Sequence, residues 1–462
     1  MTFTLILLVA ITLFGAYRTG ARTTGGPMLV VCAFMALQMV FRPLILAFGM
    51  DTPFLPNPAS AMTTGQAVVA ALWLVLAWVV AFWVGVALLA PGRVHPLRPA
   101  AAGRRDPFTV SDRTLWIATI AFLFIAAAGS LPLIHRAGGF YAFAAARKQS
   151  RGTVNFDIRS VGVWAAMLAT LLADRMYRRR HWRPMVFALA AALVAGLLTF
   201  AWGARDGLIL PAVALVLVRL AATQQRRLVL RRLLTAGLAL LAIVAVAYEL
   251  RIARDAGISE TRSVEQEATP LRRVSVGVNA TMFDALMVAR TEWPANQPFV
   301  GGVDFTSRVP VLGSRDAGTP TSFNLRLAHV SVPSRRTGTP ATAVGDWYVA
   351  WGVWGVVFGG LFAGVVISLL ERWHARRVAA QPVLATVVIT LVCLGVLVGG
   401  VTSASLSRTR EVVLPLALIL LLELGLRQVD RWRRRTPADP DAAIADADVG
   451  DDAAVSAATS AG

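Results

Sequence analysis

The chain has 462 residues, of which 56% are hydrophobic and only 15% charged, and its mean hydropathy is +0.62; one soluble core cannot absorb that much apolar surface. The formal net charge is +19, from 45 basic against 26 acidic residues. The basic residues fall in loops between apolar runs, not in a soluble domain with interleaved aromatics, which argues against nucleic acid as a partner.

A bilayer crossing takes about 20 apolar residues at 1.5 Å rise each. Runs of this kind lie near 2–17, 27–49, 65–90, 114–134, 160–173, 184–202, 207–222, 233–250, 346–370, 383–402 and 412–427. They predict an all-α polytopic membrane protein with about 11 transmembrane helices (10–12). Residues 1–250 carry helices 1–8 and residues 251–345 form one long loop, partly helical. Residues 346–430 carry helices 9–11, and residues 431–462 form a tail rich in Ala, Asp and Pro that is expected to be disordered. The first run reads as an uncleaved span, because no small-residue cleavage site precedes Gly15-Ala16-Tyr17-Arg18.

Arginines crowd alternate loops: Arg18 and Arg22, Arg93 to Arg105, Arg175 to Arg183, Arg226 to Arg232, Arg372 to Arg377 and Arg431 to Arg435. With these on the cytoplasmic side, the N-terminus and the 251–345 loop lie outside and the C-terminus inside. Lys148 is the sole lysine, a bias expected of a GC-rich bacterial genome. Cys32 and Cys393 fall inside apolar runs and read as packing residues.

One outer loop departs from the charge pattern. Residues 136–159 carry Arg136, Arg147, Lys148, Arg151 and Arg159 against Asp157 alone. Following Phe140-Tyr141-Ala142-Phe143, these arginines suit either phosphate groups of a substrate, which arginine binds bidentately, or lipid headgroups. Arg205-Asp206 interrupts two apolar runs. It reads as a functional ionisable pair at membrane depth or as an ion pair capping a tight turn between Gly203 and Gly207.

The long loop begins with helical periodicity over 263–289 (Val274, Val278, Met282, Ala285) and becomes proline-punctuated from Pro294 to Pro340. Among its arginines, Arg308 stands out because the apolar stretch Phe299–Phe305 precedes it, with Arg315 beyond. Arg408 and Arg410, in the last outer loop, fit a headgroup anchor or the far wall of the same pocket. No HExxH, paired helical histidines, Cys/His ligand set or Walker loop occurs. The first outer loop has Asp51, not the acidic pair of a metal-dependent polyprenyl-phosphate glycosyltransferase. Charges along the spans (Arg42, Arg219, Glu249, Glu423) lie near span ends, which offers an ion-coupled transporter little.

Three stretches resemble the O-antigen polymerase (Wzy-type) family of oligosaccharide repeat-unit polymerases. They are Phe299-Val300-Gly301-Gly302-Val303-Asp304-Phe305-Thr306-Ser307-Arg308-Val309-Pro310, then Thr339 to Tyr348 followed by Gly352, Gly355 and Gly359-Gly360, and Gly203-Ala204-Arg205-Asp206-Gly207. Family members usually have about twelve spans with both ends inside, so eleven with the N-terminus outside departs from the pattern. The resemblance implies a bacterial plasma-membrane glycosyltransferase that extends polyprenyl-diphosphate-linked oligosaccharide, without metal or cofactor, alongside a flippase and a chain-length regulator. Arg205 and Arg308 would stabilise the departing diphosphate, with Arg147, Arg151 and Arg315 behind them. Asp346 would serve as general base or simply cap the following helix. Trp347, Tyr348 and Trp351 would stack on sugar or anchor the helix in the interface, and the glycines from Gly352 to Gly364 read as helix-packing scaffold. An O-antigen-ligase-type transferase, with His329 as its outward histidine, a lipid-linked oligosaccharide flippase and a non-enzymatic envelope-complex partner remain alternatives.

Overall fold

A computed structural model of the chain describes residues 1–22, 26–51, 53, 63–89, 110–140, 142–143, 156–202, 210–211, 215, 282–299, 301, 342–377, 385, 387–389 and 403–435. Among them are nine helices of substantial length and no strand: α1 Thr2–Gly20, α2 Pro27–Ala47, α3 Thr64–Leu88, α4 Asp112–Arg136, α5 Phe156–Arg178, α6 Trp182–Ala201, α7 Met282–Glu292, α8 Ala343–Arg377 and α9 Ser403–Arg435. Six of these (α1, α2, α3, α4, α6 and α8) are long and apolar enough to cross a membrane. The protein is therefore an all-helical, membrane-embedded chain. The predicted runs at 207–222, 233–250 and 383–402 lie outside the described residues apart from isolated positions.

Local chemistry sets the helix ends. At α3, Thr63 and Gln66 form a reciprocal capping box, in which each side chain accepts from the other's backbone N–H. Ser111 caps α4 by accepting from Thr114 N at 3.2 Å, with Asp112 in the first turn where the helix dipole favours a negative charge. Pro27 opens α2 at a position where a missing N–H costs nothing. Inside α2 the residues Leu37–Phe41 form a π-helical turn, a feature that commonly marks functional positions.

The helices pack in two sets, one of α1, α2, α3, α7 and α8 and one of α4, α5, α6 and α9. A single cluster of buried side chains draws on both. The up-and-down course of the chain gives the bundle an arginine-rich end and a far end. At the arginine-rich end, the fully buried Glu371 of α8 clips the α1–α2 turn by accepting from Arg22 N and Met28 N, both at 3.0 Å. There too Glu423 of α9 accepts from Ser111 N at 2.8 Å, Thr114 Oγ1 at 2.5 Å and Arg427 Nε at 2.7 Å, and Arg175 of α5 pairs with Asp112 at 2.9 Å. Glu371 and Glu423 thereby satisfy backbone N–H groups at the starts of α2 and α4.

The closest approach is between α3 and α8, and glycine makes it possible. A Cβ at Gly360 would stand 2.5 Å from the Trp78 carbonyl oxygen, and one at Gly364 would run into that of Phe82; Gly85 of α3 faces Leu361 in the same way. This is the small-residue packing that helices use where lipid supplies no hydrophobic drive. Gly65, by contrast, opens onto free space. Gly364→Ala is expected to destabilise the protein by about 1–3 kcal/mol through overpacking, whereas Gly65→Ala leaves it unchanged or slightly more stable. Thermal unfolding of the detergent-purified variants checks both.

Candidate functional site

The far end of the first helix set holds a second buried polar network. It is built on α7, a helix from within the 251–345 stretch. From the sequence that stretch reads as a loop resting on the bundle, yet Met282 to Ala289 are all buried, with Phe283, Ala285, Leu286 and Ala289 at 0% exposure. Apolar residues on every face explain this, since such a helix must be enclosed. Val274 and Val278, also predicted helical, lie outside the described residues.

One polar residue enters the bundle with α7. Asp284, 1% exposed, takes two hydrogen bonds from the fully buried Arg42 of α2, Nε to Oδ1 at 3.0 Å and Nη2 to Oδ2 at 2.7 Å. Nη1 of Arg42 bonds Asp51 Oδ2 at 2.5 Å. One helical turn before Arg42, Gln38 donates to the Met282 sulfur at 3.2 Å. Gln38 lies within the π-helical turn and Arg42 directly follows it, so the local irregularity of α2 is where α7 is fastened. Arg42, read from sequence only as a charge near a span end, is the centre of a buried ion network. The signal was an ionisable residue in an apolar run, functional or structural by default.

Beyond α7 the chain turns and meets a break in α8. The Glu292 carbonyl accepts from Asn296 N at 2.8 Å and Gln297 N at 3.1 Å, and Trp293 Nε1 donates to the Pro298 carbonyl at 3.1 Å. In α8 the helix breaks at Trp351 (φ −141°, ψ 20°) and Gly352 (φ 65°, ψ −149°). The left-handed φ requires glycine, and the Phe299 ring packs where a Cβ at Gly352 would come within 3.0 Å. The break takes Ala350 O from its regular i+4 partner, and Gly301 N donates to it instead at 2.9 Å. Tyr348 Oη donates to the Trp293 carbonyl at 2.8 Å, and its ring meets Phe299 edge-on at 5.9 Å. Irregular backbone at membrane depth survives only when it is satisfied within the protein in this way.

Asp346, 7% exposed, lies in the first turn of α8. It is not the helix cap: Thr342 holds that place, accepting from Gly345 N through Oγ1 at 3.3 Å and from Asp346 N through its carbonyl at 3.1 Å. Of the aromatics expected to face sugar, Tyr348 is 3% exposed and committed to Trp293. Trp347 occupies the room left by Gly355 and Gly359, 5.1 Å from Trp351. Trp351, 41% exposed, is the open member of the three.

Arg147, Arg151, Arg205, Arg308 and Arg315 lie outside the described residues, as do the side chains of Arg408 and Arg410. Phe143, four residues before Arg147, stacks edge-on against Trp202, three residues before Arg205, at 5.3 Å, and Trp202 Nε1 donates to Ser130 Oγ at 2.8 Å.

Two groups near the end of α7 were not singled out from sequence. Arg290 is half-buried with its guanidinium 5.9 Å from the centre of the Tyr348 ring, and Glu292 is 4% exposed with Oε2 accepting from Asn296 Nδ2 at 3.1 Å. Each had looked like one more charge of a solvated loop. Among the described residues, no group of three or more His, Cys, Asp or Glu side chains is arranged to hold a metal ion. No protein-family model matches the chain, and neither a curated protein nor a solved structure does.

Arg42→Met should cost about 3–5 kcal/mol, because it takes the guanidinium away from two buried carboxylates, and adding Asp284→Leu should recover part of the loss. A double-mutant cycle on thermal unfolding measures the coupling.

Proposed function

We propose that the chain is a membrane polymerase of lipid-diphosphate-linked oligosaccharide repeat units, acting in cell-surface polysaccharide synthesis at the outer face of a bacterial plasma membrane. In this reading the bundle has about 11 spans, with the N-terminus outside and the C-terminus cytoplasmic. The observation that carries it is the junction at the α8 break. Two of the three stretches that resemble the Wzy-type family, Phe299–Pro310 and Thr339–Gly360, meet there through Phe299 on Gly352 and Gly301 N on Ala350 O. The same junction holds Asp346 in the first turn of α8, buried against the bundle.

The chemistry asked of this end is glycosyl transfer. A hydroxyl of the incoming repeat unit attacks the anomeric carbon of the growing chain, the bond from that carbon to the diphosphate oxygen breaks, and the polyprenyl diphosphate leaves with the electron pair. Asp346 takes the hydroxyl proton. Arg205 and Arg308 offset the charge that develops on the diphosphate, and Arg147, Arg151, Arg315, Arg408 and Arg410 supply further phosphate contacts. Trp351 offers an exposed aromatic face to a sugar ring. A flippase reading would draw on Arg42 as an intramembrane cation, but both faces of its guanidinium fork are taken by Asp284 and Asp51.

Asp346→Asn is expected to slow chain growth by about 100- to 10,000-fold. Arg205→Ala and Arg308→Ala should leave single repeat units on the glycan ladder while the protein still accumulates in the membrane. Normal long chains in the two arginine variants would overturn the site assignment, and loss of attachment with normal length would favour the ligase reading.

A further inference from the structure

At the far end, Arg42 spends its guanidinium on Asp284 and Asp51. Arg290, in the last turn of α7, has no carboxylate at ion-pair distance among the described residues, although it is half-buried. Glu292 cannot supply one, because residues two apart on a helix point to different sides, and its Oε2 is engaged by Asn296. A partly desolvated cation without a counter-charge is costly in such a bundle, which favours an anion beside it.

The surroundings fix how the anion would be met. The guanidinium lies beside the ring of Tyr348, 5.9 Å from its centre, and a side-chain hydrogen bond to the Tyr348 hydroxyl engages one edge of the fork, which orients it and leaves the remaining N–H groups for another acceptor. Tyr348 is itself held by its 2.8 Å hydrogen bond to Trp293 O and by the edge of Phe299. The fork therefore rests on a fixed platform, two residues along α8 from Asp346. A planar fork on a rigid base suits the paired oxygens of a phosphate group.

We propose that Arg290 binds a phosphate ester of a lipid at the far end of the bundle. Two sources carry this chemistry. One is the diphosphate of a polyprenyl-linked donor, an assignment that rests on the function proposed above, and the other is the headgroup of an anionic phospholipid.

The test uses the full-length protein in nanodiscs, with undecaprenyl diphosphate titrated into phosphatidylcholine discs and phosphatidylglycerol retention compared in mixed discs. Arg290→Gln should raise the Kd for undecaprenyl diphosphate about 10-fold or more, and Arg290→Lys by less. Arg183→Gln, which removes an exposed arginine at the opposite, arginine-rich end, should leave it unchanged. If instead the diphosphate Kd holds while Arg290→Gln loses its preference for phosphatidylglycerol, the phosphate belongs to a headgroup and the donor assignment falls. If neither changes while Arg290→Lys and Arg290→Gln both unfold at the wild-type temperature, Arg290 binds no phosphate and the proposal is overturned. Binding is read without turnover, so failure of the polymerase reading on the glycan ladder would be recognised separately.

Discussion

Inside a membrane bundle a guanidinium must carry its counter-charge with it, and Arg42 does so by drawing Asp284 in from a distant part of the chain. That pair fixes where α7 goes. Without it, an eleven-residue helix followed by a turn would have little beyond apolar contact to set its register, and apolar contact is weakly directional. With two hydrogen bonds on one carboxylate, the helix is held in both rotation and depth. Removing either partner alone would be costly, since the other charge would remain buried.

The second half of the arrangement follows from that placement. Once α7 is seated, its following turn reaches α8 where Gly352 breaks the helix, and Phe299, Gly301 and Trp293 satisfy what the break leaves open. The broken helix can lie close to α3 because Gly360 and Gly364 admit the carbonyls of Trp78 and Phe82. Sequence thus acts through two kinds of glycine. Gly352 provides a backbone angle, whereas Gly355, Gly359, Gly360 and Gly364 provide space. The result is a polar far end built on an apolar bundle.

Much of the bundle was legible from hydropathy alone, because α1, α3, α4 and α6, and α2 apart from Gln38 and Arg42, are apolar runs bounded by caps or arginines. α7 was not. It carries Asp284, Arg290 and Glu292 within eleven residues, so its composition looks like loop, and its partner Arg42 lies 242 positions away. The break in α8 was hidden because Gly352 reads as one more member of a helix-packing glycine series. Asp346 drew attention as the acid at a helix start, but the cap fell to Thr342, whose hydroxyl and carbonyl both face the first turn. Arg205 and Arg308, chosen from sequence, lie outside the described residues. Arg290, which was passed over, is the half-buried cation that the structure leaves over an aromatic platform.

The bundle encloses α7, and in the orientation proposed above its C-terminal turn opens on the outer side. Single cysteines at Leu286 and Asn296, introduced in a background with Cys32 and Cys393 replaced by serine, test it with a membrane-impermeant maleimide on intact cells. The account predicts that Asn296→Cys is labelled and Leu286→Cys is not, until Arg42→Met is added and α7 loosens. Labelling of Leu286→Cys in the otherwise intact protein, or protection of Asn296→Cys until the membrane is permeabilised, would contradict it.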